Sequence, residues 1–223
     1  MIKVVSVFRR KEGMSVEDFQ AYWLEVHAPL VRMIPGVHRY VQNHTLLSGY
    51  KKSVPAVDGV AEVSFSDTDA LRAIANTDEI RAVQDDHLKF MDLSSYRELV
   101  TEDIVIKDGH IPFGGVKNIE LVTRKVGMPP PDFHQYWINT HGPLGGSIPQ
   151  VHRYVQSHAR ASAYANGKEP VLDGFALTWF DDTHAMREAA TTVQYADTRA
   201  DEENFLVEPL DFVITKEHVI FGD

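Results

Sequence analysis

Nearly every position from Ile2 to Phe8 is apolar or β-branched, and the run reads as a strand. Alternation puts Val5 and Val7 on one face and Val4, Ser6 and Phe8 on the other. Gly13 ends it, and Ser15, three residues before Asp18, has the spacing of a capping box. The helix that follows carries Phe19, Tyr22, Trp23, Val26 and Leu30 on one stripe, with His27 at the rim of that face one turn beyond Trp23. Pro29 and Pro35 bracket its end. Val37 to Leu47 alternates as a second strand and Gly59 to Phe65 as a third. Asp67 or Thr68 caps a second helix bearing Leu71, Ile74 and Ile80, further helical turns cover Asp85 to Phe90, and Tyr96 to Ile106 forms a fourth strand. The order β-α-β-β-α-β is that of a ferredoxin-like unit.

The same pattern then returns. FQAYWLEVHAPL at Phe19–Leu30 is echoed by FHQYWINTHGPL at Phe133–Leu144, an offset of 133 − 19 = 114, and IPGVHRYVQNH at Ile34–His44 by IPQVHRYVQSH at Ile148–His158. A period this long exceeds any solenoid repeat and suits a small complete domain. The expected organisation is therefore two domains, 1–108 and 116–223, with Lys107–Gly115 (KDGHIPFGG) as the linker. In the second copy the strands are expected at Val116–Thr123, Val151–Ala159, Gly174–Phe180 and Phe212–Phe221, and the first helix opens on Pro129, Pro130 and Pro131 rather than on a serine cap.

With 223 residues and 43% hydrophobic content the chain has ample material for two such cores. A formal net charge of −10 argues against nucleic acid and against an anionic membrane surface. There is no cysteine, which excludes disulfides, thiolate nucleophiles, iron–sulfur clusters and cysteine zinc sites. The apolar run at the N-terminus is far shorter than a signal peptide or a membrane span requires, so a cytoplasmic protein is expected.

The pattern F-x-x-Y-W-x-x-x-H-x-P-L followed by R-Y-V-Q-x-H, present twice, resembles the EthD-like family of the dimeric α+β barrel superfamily. The resemblance covers nearly all of both repeats. It implies an α+β fold of two tandem ferredoxin-like (βαββαβ) units whose antiparallel sheets pack into an α+β barrel. It also implies a small-molecule substrate, no membrane or nucleic-acid partner, and an arrangement in which a homodimer is allowed. Some relatives in that superfamily bind haem through histidine; this sequence singles out no axial ligand, and no cofactor is expected.

A sheet covered by helices on one side should turn its apolar face to them. On that reasoning Val5, Val7, Val37, Val41, Ala61, Val63 and Phe65 pack under the helices, and Ser6, His38, Tyr40, Gln42, His44, Glu62 and Ser64 face the barrel interior. The matching interior set in the second copy is Glu120, His152, Tyr154, Gln156, His158, Leu177 and Trp179. Buried polar groups two apart on one face must pair or bind something. Histidine is the acid/base suited to neutral pH and tyrosine can donate to an oxyanion. The candidate catalytic residues are therefore His27, Tyr40, His44 and Glu62. The candidate substrate contacts are His38, Gln42, Ser64, His141, Tyr154, His158 and Trp179. The alternative is a structural hydrogen-bond network among the same Tyr, Gln and His side chains. His38 and His44 lie six apart with no carboxylate in register, so no metal site is expected. Trp179 and Phe175 are expected to fill the second pocket, leaving the first, with Ser64 and Val60 in their places, the roomier.

The resemblance implies, as the favoured expectation, a cofactor-independent lyase or isomerase (decarboxylation, cyclisation or dehydration) on a small apolar molecule, aromatic or polyketide-like. The rivals, again from the resemblance, are a cofactor-free monooxygenase of an electron-rich aromatic and a non-catalytic accessory binder of a degradation pathway.

Overall fold

The computed structural model describes residues 1–51 and 53–222. The strands are β1 (Ile2–Arg10), β2 (Val37–Thr45), β3 (Gly59–Phe65), β4 (Met91–Lys107), β5 (Val116–Val122), β6 (Arg153–Ala159), β7 (Gly174–Phe180) and β8 (Asp211–Phe221). They follow one another in the order β1-β3-β2-β8-β5-β7-β6-β4, a closed antiparallel barrel. The chain divides into two compact units, unit 1 of Met1–Val100 with Glu217–Asp223 and unit 2 of Thr101–Lys216, so the long strands β4 and β8 each contribute to both.

In unit 1 the sheet carries α1 (Val16–Tyr22), a single π-helical turn (Trp23–His27), α2 (Ala28–Arg32), α3 (Thr68–Ala73) and α4 (Asp78–Phe90). Ser15 caps α1: its hydroxyl accepts from the Asp18 amide at 3.0 Å and donates to the Asp18 carboxylate at 2.7 Å. The π-turn is closed by the amide of Ala28 donating to the carbonyl of Trp23. A proline ring crowds the carbonyl four residues before it, and the widened turn just ahead of Pro29 gives that carbonyl room. The extra residue in the turn also shifts the buried stripe. Val26, expected inside, is 47% exposed, and His27 takes its place at 2%. Unit 2 repeats the arrangement with α5 (Pro130–Tyr136), a π-turn (Trp137–His141), α6 (Gly142–Gly146), α7 (Thr183–Ala189) and α8 (Val193–Asp201).

Strand register corrects the expected facing. On β3 the expectation holds: Ala61, Val63 and Phe65 pack with the helices, and Glu62 and Ser64 lie on the opposite face. On β1 and β2 it reverses. Val5 and Val41 both pair with Glu62, and Val7 with Val60, so these valines turn away from the helices. Ser6 pairs with Ala61, Tyr40 with Val63 and Gln42 with Ala61, so these three lie under the helices, as does His44 opposite Gly59. One cause is a bulge between Val37 and Arg39, which leaves the intervening His38 exposed and flips every later residue of β2. Val37, ahead of the bulge, does pack with the helices. The other cause is that Val5, Val7 and Val41 are buried at 0%, 2% and 3% on their own face. With both faces buried, apolar alternation no longer distinguishes them.

In unit 2, Glu120, Tyr154, Gln156 and His158 share the helix-covered face, since Glu120 and Gln156 both pair with Ala176 and Tyr154 with Thr178. Leu177, Trp179 and Phe175 lie on the opposite face with Lys117 and Ile119. His152 stands just ahead of β6.

Candidate functional site

Between the helices and the sheet of unit 1 lies a cavity of about 400 Å³. Its walls are mainly apolar, among them Val4, Val31, Ile34, Val63 and Phe65, and Ser6, His27, Tyr40, His87 and Tyr96 give it polar points. A largely apolar pocket with few polar groups is the usual form of a small-molecule site.

Tyr40 is 1% exposed and its hydroxyl receives two hydrogen bonds. The Trp23 indole Nε1–H donates to it at 3.0 Å and the Gln42 amide at 2.9 Å. Gln42 also donates to the Trp23 carbonyl at 2.8 Å, the carbonyl of the π-turn, which fixes which end of its amide is nitrogen. The Gln42 Oε1 then accepts from His44 Nε2 at 2.9 Å, and the His44 ring stacks on Trp23 at 4.7 Å. Two donors aimed at one hydroxyl leave that hydroxyl its own proton to give, and no acceptor for it occurs among the described residues. Burial raises the Tyr40 pKa, so the proton stays on. Gly59 makes room for this cluster: a Cβ there would sit 2.7 Å from the Trp23 ring.

His27 is 2% exposed and its Nδ1 lies 2.9 Å from Asp86 Oδ2. Asp86 is buried on α4 and is further held by the Tyr22 hydroxyl at 2.8 Å and by Lys89 at 3.1 Å. Burial alone would raise the Asp86 pKa; the hydrogen bonds from His27, Tyr22 and Lys89 outweigh it and the carboxyl sits below its usual range. The imidazole therefore donates from Nδ1 to a carboxylate, which leaves Nε2 as the basic nitrogen. Burial lowers the His27 pKa more than Asp86 raises it, so the ring is neutral near pH 7.

His87, also on α4, lies 5.2 Å from the His27 ring and 5.8 Å from the Tyr96 ring. Burial first, then the neighbouring His27, brings its pKa down to about 4. The Tyr96 hydroxyl is 3.0 Å from Ser6 Oγ and donates to Glu98 at 2.5 Å. Burial and the Glu98 carboxylate raise the Tyr96 pKa.

Unit 2 keeps the frame and changes the polar points. His141 Nδ1 lies 3.0 Å from Asp201, which Tyr136 also binds at 2.6 Å. The Tyr154 hydroxyl accepts from Trp137 at 3.2 Å and Gln156 at 3.1 Å. But Glu120 stands at the place of Ser6 (120 − 6 = 114), and Glu202, which follows Asp201 as His87 follows Asp86, at that of His87 (202 − 87 = 115). Burial and then the charge of Glu120 push the Glu202 carboxyl up to about 8, and burial raises Glu120 as well. Glu202 accepts from Arg199 at 2.8 Å through one oxygen, while the other has no hydrogen-bond partner among the described residues.

Of the expected site residues, His27 and Tyr40 line the unit 1 cavity, with Gln42 and His44 behind Tyr40 as its supports. Tyr154, His158 and His141 occupy the matching places in unit 2. Four others lie elsewhere. Glu62 is on the opposite face, bound by Lys3 at 2.8 Å and Asn43 at 2.9 Å, not beside His27 and Tyr40. Ser64 shares that face, His38 is exposed, and Trp179 packs its ring 4.6 Å from the Lys117 ammonium. Trp179 and Phe175 therefore do not fill the counterpart of the Tyr40 pocket, and that ground for ranking the two pockets fails. The structure adds Asp86, His87 and Tyr96 to the site. For Asp86 a signal existed: it recurs as Asp201 at 201 − 86 = 115, one more than the 141 − 27 = 114 of the histidine it holds.

Comparison with known proteins agrees with this frame. The chain superposes on an anthrone oxidase-like protein with a TM-score of 0.64 at 11% identity, over 98% of this chain and 93% of that one. A proposed monooxygenase from Lactobacillus acidophilus NCFM gives 0.56 at 11% identity, over 97% and 92%. A mutant chlorite dismutase from Candidatus Nitrospira defluvii gives 0.51 at 7% identity, over 96% and 90%. At such identities the likeness is one of fold. A search of curated proteins finds no match. Among the described residues no helix is long and apolar enough to cross a membrane. The EthD domain matches twice, at residues 11–94 and 125–209, each stretch spanning the π-turn and the histidine–aspartate pair of its unit, and the chain belongs to the EthD family.

Proposed function

We propose that the unit 1 cavity is the active site of a cofactor-independent, cytoplasmic lyase or isomerase. Its substrate is a small apolar molecule, aromatic or polyketide-like, carrying a carbonyl or phenolic oxygen. The observation that carries this reading is the convergence of two complementary groups on one apolar cavity: a tyrosine hydroxyl with a proton to give and a neutral histidine with a basic nitrogen held by a carboxylate. His27 Nε2 removes a proton from the carbon or hydroxyl next to the substrate oxygen. Tyr40 donates to that oxygen as negative charge develops on it, and Asp86 stabilises the imidazolium that forms. The same imidazolium then returns the proton: to the adjacent carbon in isomerisation or after loss of carbon dioxide, or to a departing hydroxide in dehydration.

A second reading shares the first step. An electron-rich aromatic deprotonated in this cavity could react with dioxygen, and two of the structural relatives carry the names monooxygenase and anthrone oxidase-like. The test is a panel of hydroxyaromatic acids, anthrones and cyclic 1,3-diketones, assayed for product by mass spectrometry and for oxygen uptake in the same vessel. Product without oxygen uptake supports the lyase or isomerase. Uptake in step with product supports the oxygenase. Saturable binding without product from any member leaves an accessory binder and defeats both enzymatic readings.

A further inference from the structure

Away from the cavity, one cluster in unit 2 has a chemistry that the acid/base reading does not use. His110, in the segment after β4, His152, ahead of β6, and Asp181, the residue after β7, bring one ligand atom each within 4.8 Å of one another. His152 Nε2 lies 3.0 Å from Asp181 Oδ2 and the two imidazole centroids are 4.4 Å apart. We propose that these three side chains bind a divalent first-row transition metal of the zinc class.

Two imidazole nitrogens and a carboxylate oxygen form a donor set suited to Zn²⁺, Co²⁺ or Ni²⁺, with open positions for water. Bonds of about 2.0–2.2 Å to a tetrahedral ion would set the ligand atoms roughly 3.3–3.6 Å apart. His152 Nε2 and Asp181 Oδ2, at 3.0 Å, are somewhat closer than this, and all three ligand atoms lie within 4.8 Å of one another.

The backbone holds the three segments together independently of any ion. A Cβ on Gly109 would collide with the His152 carbonyl oxygen, so glycine is what lets the chain carry His110 over His152. Arg153 pairs with Asp108 on the same segment. The His152 amide donates to the Trp179 carbonyl at 2.9 Å, which ties it to the strand that ends before Asp181. The neighbouring Asp182 caps α7 with its own side chain, accepting from the amides of His184 and Ala185, so Asp181 is not needed there.

Comparison with unit 1 separates this trio from the needs of the fold. There the counterpart of His152 is His38, and a Gly222 Cβ would likewise meet the His38 carbonyl. The counterpart of Asp181, however, is Ser66 (181 − 66 = 115). The strand junction forms without a histidine–aspartate pair, and the carboxylate is an addition of unit 2.

The test uses the full chain, freed of any affinity tag and stripped with a chelator. Zn²⁺ is titrated by calorimetry and Co²⁺ by visible absorption. The expected result is one equivalent bound, with a Co²⁺ spectrum of a low-coordinate nitrogen–oxygen site. His110→Ala and Asp181→Asn, both at exposed positions, should each weaken binding at least about tenfold. His184→Ala, a surface histidine beside Glu188, should leave it unchanged. Absence of stoichiometric binding at 100-fold excess metal overturns the proposal, and so does binding that survives both ligand substitutions.

Discussion

The Trp23 indole donates to the Tyr40 hydroxyl at 3.0 Å, and so decides in which direction that hydroxyl can give its own proton. The residues come from the first helical segment and from β2. Their contact converts a buried tyrosine, which could have been a passive core residue, into a hydrogen-bond donor lining the cavity. The pair recurs as Trp137 and Tyr154.

Replacing Tyr40 by Phe keeps the ring and removes the hydroxyl. The Trp23 Nε1–H then loses its acceptor, and the Gln42 amide nitrogen keeps only the Trp23 carbonyl, while its oxygen still accepts from His44. An unpaired buried donor costs about 1–3 kcal/mol, so the unfolding temperature should drop by about 2–12 °C for a chain of this size. With a substrate identified, turnover should fall about 10²–10³-fold, the range for loss of one oxyanion donor. Turnover within a factor of two of the wild type would remove Tyr40 from the chemistry.

Asp86→Asn tests the histidine–aspartate pair. The carboxylate raises the His27 pKa against the lowering effect of burial. Its loss should move the acid limb of the pH–rate profile to lower pH while the rate falls about 10²–10⁴-fold. An unchanged acid limb would mean that His27 is not the base.

Acid stability follows from the buried histidines. His44 and His158 are brought down to about 3 and His87 to about 4, in each case first by burial. Unfolded histidine titrates near ~6.5. Between these values the unfolded chain binds more protons than the folded one. Their contribution is therefore complete above pH ~6.5 and is lost as pH falls toward about 3–4. The His87 imidazole makes no hydrogen bond to a described residue, and its carbonyl accepts from the Met91 amide whatever the side chain, so His87→Gln isolates its share. Across pH 4–6.5 the variant should lose stability less steeply, by about one proton's worth of slope. Denaturant titrations at stepped pH measure this.

Glu202 works in the opposite sense. Its folded pKa of about 8 lies above the ordinary 4.5, so the folded chain keeps a proton that the unfolded chain releases. Stability from this group is present below 4.5 and is lost as pH rises through about 8. Glu202→Gln keeps an oxygen for Arg199 and removes the titration. The variant should match the wild type near pH 4.5 and exceed its unfolding temperature at pH 8 and above. A variant less stable than the wild type at pH 8 would contradict the assignment.

Much of this was readable from sequence, and the rest fails for particular reasons. The repeat, the β-α-β-β-α-β order and the ends of β3 follow from local pattern. Gly59 and Phe65 bound β3 as expected because punctuation and β-branched content agree there. The face of β2 was not readable, because one bulge at His38 inverts it and the alternative face, with Val41 and Asn43, is just as buried. The π-turn that replaces Val26 by His27 leaves no mark except the proline after it. His87 sits on α4 among exposed charged residues, where only its place in the fold gives it meaning, and Asp86 beside it is marked only by its recurrence as Asp201.

The proposed chemistry rests on proton transfer between a substrate and His27 in the unit 1 cavity. Solvent deuterium incorporation tests it most directly. Members of the panel would be incubated in D₂O with the wild type and with His27→Ala, and exchange followed by proton NMR at the carbon beside the substrate oxygen. Catalysed exchange is expected with the wild type, and its loss in a His27→Ala chain that keeps its circular dichroism spectrum. Exchange that proceeds equally well without the His27 imidazole would contradict it.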